Sequence, residues 1–297
     1  VSAAPAPPVP PRTGLGRFLE IQNLGLNLPF ALAFLLLAAG GWPTWRTAAL
    51  VVLAFVAARN AGHSFNRYVD RRLDAANPRT RGRALVTGER SAAFALSFAA
   101  ASAALLIAAA YLLNPLAFYL APVALALVFG YSYTKRVTTF TTAFLGLVEA
   151  ATPAAVYIAV RGSLPLAVLP AVGALLLWGT AFETVHSLGD LESDRALGLF
   201  SVPVRLGRSA SVRLVAALHA GALVLFAVFG VGLDLPLPYF VALGAMGLVV
   251  AATDARLAAR PTEVRIPFDR HIALGLLFLA GVAVALFVPA VALARPG

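Results

Sequence analysis

"TAALVVLAFVAARNAGHSFNRYVDRRLDAANPRTRGR", residues 47–83, begins as hydrocarbon and ends as charge. Residues 47–66 carry a single charged side chain, Arg59, whereas residues 66–83 carry eight. The apolar part matches the roughly 20 residues that a helix needs to cross a bilayer. The rest of the chain repeats that pattern: of 297 residues, 60% are hydrophobic and only 12% charged, with a mean hydropathy of +0.86. Soluble domains carry about 25% charged residues. The composition therefore points to an all-α integral membrane protein.

Nine stretches are long and apolar enough to be spans: Leu24–Trp42, Thr47–Asn66, Ala92–Leu113, Leu116–Tyr133, Phe140–Val160, Leu164–Val185, Val212–Val231, Pro236–Ala252 and Ile272–Leu293. The first and second, and the third and fourth, are joined by short links and read as antiparallel hairpins. With the N-terminus placed in the cytoplasm, nineteen of the 23 Lys and Arg residues fall on cytoplasmic loops. Arg46, Arg161 and Arg295 fall outside, and Arg59 lies within the second span. This bias satisfies the positive-inside rule and puts the C-terminus outside. The net charge of +10 is thereby explained by topology and not by a nucleic-acid partner. The absence of cysteine excludes disulfides, thiolate nucleophiles and cysteine metal sites. Residues 1–20, rich in Ala and Pro, read as a disordered leader ahead of one domain over 21–297.

Topology explains the loop arginines but not the aspartates. Asn66, Asp70 and Asp74 follow one another at intervals of four at the cytoplasmic end of the second span. Asp190 and Asp194 repeat the interval after the sixth. That spacing puts the side chains on one helical face, where like charges repel and call for a cation. Mg²⁺ takes oxygen ligands, typically one or two carboxylates plus substrate phosphates. Two aspartate pairs on facing helices would hold Mg²⁺ against a diphosphate, with nearby Arg and Lys meeting the remaining phosphate charge. The stretches that follow, "DRRLDAANPRTRGRALVTG" and "DLESDRALGLFSVPVRLG", form a weak internal repeat.

The run Arg59 to Gly88, with its N-x-x-x-D-x-x-x-D and N-P-R-T-x-x-R, closely resembles the first motif of the UbiA superfamily of intramembrane prenyltransferases. Asp190 and Asp194 match the second motif, and "GLFSVPVRLG" and "YSYTKR" are similar to family wording. The resemblance implies a helical bundle around a central cavity, with cytoplasmic capping loops after helices two and six. It implies Mg²⁺-dependent transfer of a polyprenyl chain from a prenyl diphosphate to an aromatic acceptor. Asn66, Asp70 and Asp74 would bind one metal–diphosphate face, and Asp190 and Asp194 the other. Arg67 and Lys135 would contact phosphate, and Arg79 and Arg83 would belong to the capping loop. The C–O bond would break to an allylic cation, which a ring carbon attacks in a site closed to water. The wording is most similar to the 4-hydroxybenzoate branch and its relatives in menaquinone synthesis by the futalosine route, which implies a 4-hydroxybenzoate-like or naphthoate-type acceptor and quinone biosynthesis in the inner membrane, with no obligate protein partner. The chain departs from the family at Glu183 and His186, where D-x-x-Y is usual, and at His63, where an apolar residue is common.

Other polar residues fall inside spans. Glu149 lies roughly 20 Å along the helix beyond Arg136, by 1.5 Å per residue. It is either a functional carboxylate or a group bonded to a neighbouring helix. Arg59, seven residues before Asn66, would pair with an acceptor carboxylate or with Glu183. His219 and His271 show no partner pattern, and Pro153 should kink the fifth span. A terpene cyclase on the same scaffold would share the ionisation step. A transporter would place its charged sites nearer the midplane.

Overall fold

The computed structural model describes residue 18 and residues 26–260 and 268–288. The Ala/Pro-rich leader, apart from Phe18, lies outside the described residues, as do the first residues of the expected first span and the last of the ninth. The described residues form helices and turns. The long helices are α1 (Leu28–Ala39), α2 (Trp45–Ala76), α3 (Ala92–Leu113), α4 (Pro115–Thr134), α5 (Thr141–Arg161) and α6 (Leu169–Gly189). Two short helices follow, α7 (Leu191–Ala196) and α8 (Val202–Leu206), and then α9 (Arg208–Gly232), α10 (Leu237–Ala259) and α11 (Phe268–Phe287). Among the described residues, eight helices are long and apolar enough to cross a membrane.

The first expected span gives a helix shorter than its apolar run. α1 has 12 residues, about 18 Å, against a hydrocarbon core of about 30 Å. Pro29 sits in its first turn and Gly40, at φ 70°, ends it in the left-handed conformation that glycine tolerates best. Nine of its residues are buried, so α1 is a core helix more than a lipid-facing one.

The opposite happens at α2. Its apolar run ends near Asn66, but its 32 residues continue to Ala76 before the chain meets Asn77 and Pro78. A residue ahead of proline is pushed out of helical geometry, and Asn77 is extended. The final turns, which carry the charges, therefore remain helical and stand at the bundle's mouth.

Caps fix the hairpins. Asn114, the single residue between α3 and α4, accepts from Ala117 N–H at 2.9 Å. Its amide donates to the Ile158 and Ala159 carbonyls, tying this turn to the end of α5. The helices close a ring in which α2, α4, α5, α6, α9, α10, α11 and α1 succeed one another, with α3 packed outside on α2 and α4. α5 and α6 approach each other closely. A Cβ on Gly146 would strike the Leu176 carbonyl, and one on Gly179 would come 2.6 Å from a Glu149 oxygen.

At the end remote from the aspartates, Phe30, Phe34, Phe226, Phe229 and Phe278 pack into one aromatic floor. Exposed Trp42 and Trp45 sit near that end, as in an interfacial belt. Above the floor lies a central cavity of about 1520 Å³, open towards the charged end. Gly179→Ala is expected to lower the thermal midpoint of detergent-solubilised protein, the overpacking costing about 1–3 kcal/mol. Gly244→Ala, on α10 with nothing within 4 Å of the new Cβ, should hold or raise the midpoint in the same assay.

Candidate active site

The two aspartate motifs converge on the mouth of this cavity. α2 presents Asn66, Arg67, Asp70 and Asp74 to it, and Asp190 and Asp194 enter from the end of α6 and from α7. The second motif is not one continuous helix, as its spacing alone implies. α6 stops at Gly189, Asp190 is its cap, and Asp194 sits on a separate short helix. The four-residue geometry survives because Asp194 N–H bonds to the Asp190 carbonyl at 2.8 Å.

Three of the four carboxylates here are paired with basic side chains. Asp70, only 2% exposed, takes Lys135 at 2.7 Å, Arg136 at 2.8 Å and the Asn66 amide at 3.0 Å. Asp74 is bridged by Arg83 at 2.5 Å. Asp190 receives Arg79 on both oxygens, at 2.8 and 2.5 Å, and the Asn77 amide at 3.1 Å. Lys135 and Ser201 lie close enough to Asp194 to draw its carboxyl downward. Burial alone pushes the Asp190 carboxyl up, but Arg79 and then Asn77 outweigh it and hold it below the usual carboxylate range. Burial and the neighbouring Asp190 push Asp194 up to about 6, against smaller opposing effects from Lys135 and Ser201.

These contacts also join the loops. Arg79 and Asn77 come from the segment after α2, yet they grip the residue that ends α6. Phe200 N–H bonds to the Lys135 carbonyl at 2.9 Å, so the segment after α6 is tied to the end of α4. The two segments expected to cap the cavity thus line its mouth.

The donor chemistry suits a hard divalent cation. Four carboxylates and one carboxamide oxygen bearer face a single cavity, and guanidinium or ammonium groups already stand on three of the carboxylates. Among the described residues, no three His, Asp or Glu side chains gather around one point. The arrangement therefore fits an ion held by one or two carboxylates and completed by phosphate oxygens, not an all-protein cage.

Below the mouth, Arg59, His63, Glu183 and His186 also line the cavity. Glu183 accepts from the Tyr131 hydroxyl at 2.7 Å, and His186 Nδ1 lies 3.9 Å from its other oxygen. His63 Nε2 lies 3.1 Å from the Phe18 carbonyl oxygen, and Arg59 reaches Asn60 at 3.4 Å. Glu149 stands behind the wall: Asn27, which does line the cavity, donates to it at 3.1 Å.

Sequence reasoning missed Asn77, Tyr131 and Arg136 as site residues, although all three lie inside the quoted motifs. It also found no partner for His219. Asp254 on α10 lies 2.9 Å from its Nδ1, and the pair joins α9 to α10 across the cavity wall.

Known proteins are similar to this sequence and share this fold. A 4-hydroxybenzoate octaprenyltransferase from Shewanella woodyi is 31% identical over 219 residues, covering 74% of this chain and 76% of the relative. Its counterpart from Methylobacillus flagellatus is 33% identical over 213 residues, covering 72% of each. The apo structure of a UbiA homolog from Aeropyrum pernix K1 superposes with a TM-score of 0.79 at 31% identity, covering 90% of this chain and 98% of that one. A UbiA homolog from Archaeoglobus fulgidus bound to DMAPP and Mg²⁺ shares the fold, with a TM-score of 0.72 at 20% identity over 92% and 99% of the chains. The model of the UbiA prenyltransferase family matches residues 27–268, and this chain belongs to that family.

Proposed function

We propose that this chain transfers a polyprenyl group from its diphosphate to a ring carbon of a hydroxylated aromatic acid of the 4-hydroxybenzoate type, as a step of quinone biosynthesis. The observation that carries the reading is the convergence of both aspartate motifs, each held by basic side chains, on one cavity with an apolar body. The names of the relatives support 4-hydroxybenzoate over a naphthoate-type acceptor. A cyclase would need the same diphosphate site but no second substrate.

In this reading Asn66, Asp70 and Asp74 hold one Mg²⁺, and Asp190 and Asp194 hold a second. Bound Mg²⁺ supplies Lewis-acid stabilisation of the charge on the departing diphosphate. Arg67, Arg79, Arg83 and Lys135 hold phosphate oxygens by charge-assisted hydrogen bonds. The ion pairs described above imply that Arg79, Arg83 and Lys135 exchange a carboxylate for phosphate when the diphosphate arrives. Arg136, which also bonds the Ser132 and Val69 carbonyls, stays to orient Asp70. The apolar body takes the prenyl tail and keeps water from the allylic carbon. Arg59, roughly 10 Å below Asn66 along α2, faces the acceptor's carboxylate. By the distribution of Lys and Arg, the mouth opens on the cytoplasmic side of the inner membrane.

Purified protein in nanodiscs, given labelled geranyl diphosphate, Mg²⁺ and 4-hydroxybenzoate, is expected to form a C-prenylated aromatic acid. Chelation should abolish turnover and added Mg²⁺ restore it. Asp70→Asn and Asp190→Asn should each lose more than the 10–100-fold typical of removing a group that only supports a metal ligand. Product formation in EDTA, or from both variants, would sink the metal assignment. Diphosphate release with no aromatic product would point to cyclisation instead.

Arg59→Ala is expected to raise KM for the aromatic acid by about 10–100-fold, the range for a hydrogen bond to a charged group. KM for geranyl diphosphate should change little. An equal rise in both would remove Arg59 from acceptor recognition.

A further inference from the structure

One histidine stands on α2 between the aspartates at the mouth and Arg59 below them. Arg59, His63, Asn66 and Asp70 recur at helical spacing, so they share one face, and all four line the cavity. His63 is held from behind: its Nε2 lies 3.1 Å from the Phe18 carbonyl oxygen. A carbonyl can only accept, so this contact puts the ring's proton on Nε2. Phe18 is itself fixed. It is 2% exposed, and its ring meets Phe94 and Phe98 edge-on, with centroids 5.3 and 6.2 Å away.

In the neutral ring, Nδ1 then carries a lone pair. Among the described residues no donor reaches it, yet it is not sealed in the interior as Trp178 Nε1 and His219 Nε2 are. An acceptor of this kind, on a side chain that lines the cavity, selects an occupant with a proton to give, such as a hydroxyl. Arg59 lies four residues, about 6 Å, deeper on the same face. That separation is comparable to a benzene ring with substituents at opposite ends. A carboxylate at Arg59 thus puts a hydroxyl across the ring beside His63, within one turn of Asn66.

We propose that His63 Nδ1 accepts the hydrogen bond of the aromatic acceptor's ring hydroxyl. The proposal rests on the reading of that acceptor as a hydroxylated aromatic acid whose carboxylate meets Arg59. The contact turns the hydroxyl end of the ring towards the diphosphate. It also leaves more electron density on the oxygen and on the ring carbons beside it, which are the ones that then face the allylic carbon. The hydroxyl keeps its proton throughout. His63 therefore recognises the acceptor and raises the nucleophilicity of its ring.

Equilibrium binding of 4-hydroxybenzoate and of its isostere 4-methylbenzoate to the full chain in nanodiscs tests this, with geranyl diphosphate and Mg²⁺ binding as a separate check of folding. Wild type should prefer the hydroxyl by about tenfold, as expected for one hydrogen bond shielded from water. In His63→Leu and in His63→Phe, neither of which can accept, the preference should vanish while geranyl diphosphate still binds. Either variant suffices if the other does not fold. In His63→Asn, whose carboxamide oxygen can stand where Nδ1 stood, part of the preference should return. Equal binding of the two acids by wild type overturns the proposal whether or not any variant folds. A folded His63→Leu or His63→Phe protein that keeps the wild-type ratio assigns the hydroxyl to another side chain and overturns it equally. Wild type that binds geranyl diphosphate but neither aromatic acid overturns the acceptor reading, and this contact with it.

Discussion

Charge neutralisation at the edge of the hydrocarbon is the constraint on which this molecule depends. Asp70 and Asp74 are 2% and 4% exposed, at the end of a helix that has just left an apolar run. Buried carboxylates are tolerated only when paired and hydrogen-bonded, because the loss of hydration is several kcal/mol per ion. Lys135, Arg136 and Arg83 meet that requirement here. The distribution of these cations follows from it: they come from the turn that ends α4 and from the segment after α2, so neutralising the aspartates also fastens those segments over the cavity. Arg79 on Asp190 does the same between the two motifs. One set of ion pairs thus builds the mouth and keeps a cluster of cations in place.

The interactions along a single helix were legible in the sequence, and those between helices were not. The periodic face of Asn66, Asp70 and Asp74 needs only the α-helical repeat, and the bilayer imposes the length of each span. Even so, the apolar run of residues 24–42 overstates α1, because Pro29 and Gly40 set its ends. The run of residues 47–66 understates α2, because a helix does not stop where hydropathy does. The break at Asp190 was hidden for a different reason. A cap and a short second helix preserve the four-residue spacing, so the pattern is the same with or without it.

Pairs across the bundle leave no local trace. Asn27 and Glu149 are 122 positions apart, and His219 and Asp254 are 35 apart on successive helices. Nothing in the residues near His219 marks Asp254 as its partner, since helix rotation and tilt decide which faces meet. Glycine offered a partial clue. Gly146 and Gly179 let α5 and α6 approach until Glu149 lies against the α6 backbone. Small residues at such crossings are usual in membranes, but the glycines elsewhere in the chain that meet nothing look the same in sequence.

Polarity along the cavity falls in steps, and those steps orient a substrate. Cations and carboxylates crowd the mouth; Arg59, Glu183 and His186 follow; His219 and His271 form part of the wall beside the apolar Val250 and Leu274; and the phenylalanine cluster packs beyond it. A prenyl diphosphate is polar at one end and oily along the rest, so it can satisfy this gradient in only one direction. In the proposed reading the diphosphate sits at the aspartates, which would put its first carbon just inside the polar rim, where hydrogen-bonding side chains could still fix an acceptor ring. Moving the aspartates deeper would desolvate them beyond what the available cations offset. Moving the polar wall outward would expose the allylic carbon to water. The depth of the reacting carbon is therefore set jointly by the cost of burying charge and by the need for a dry cation.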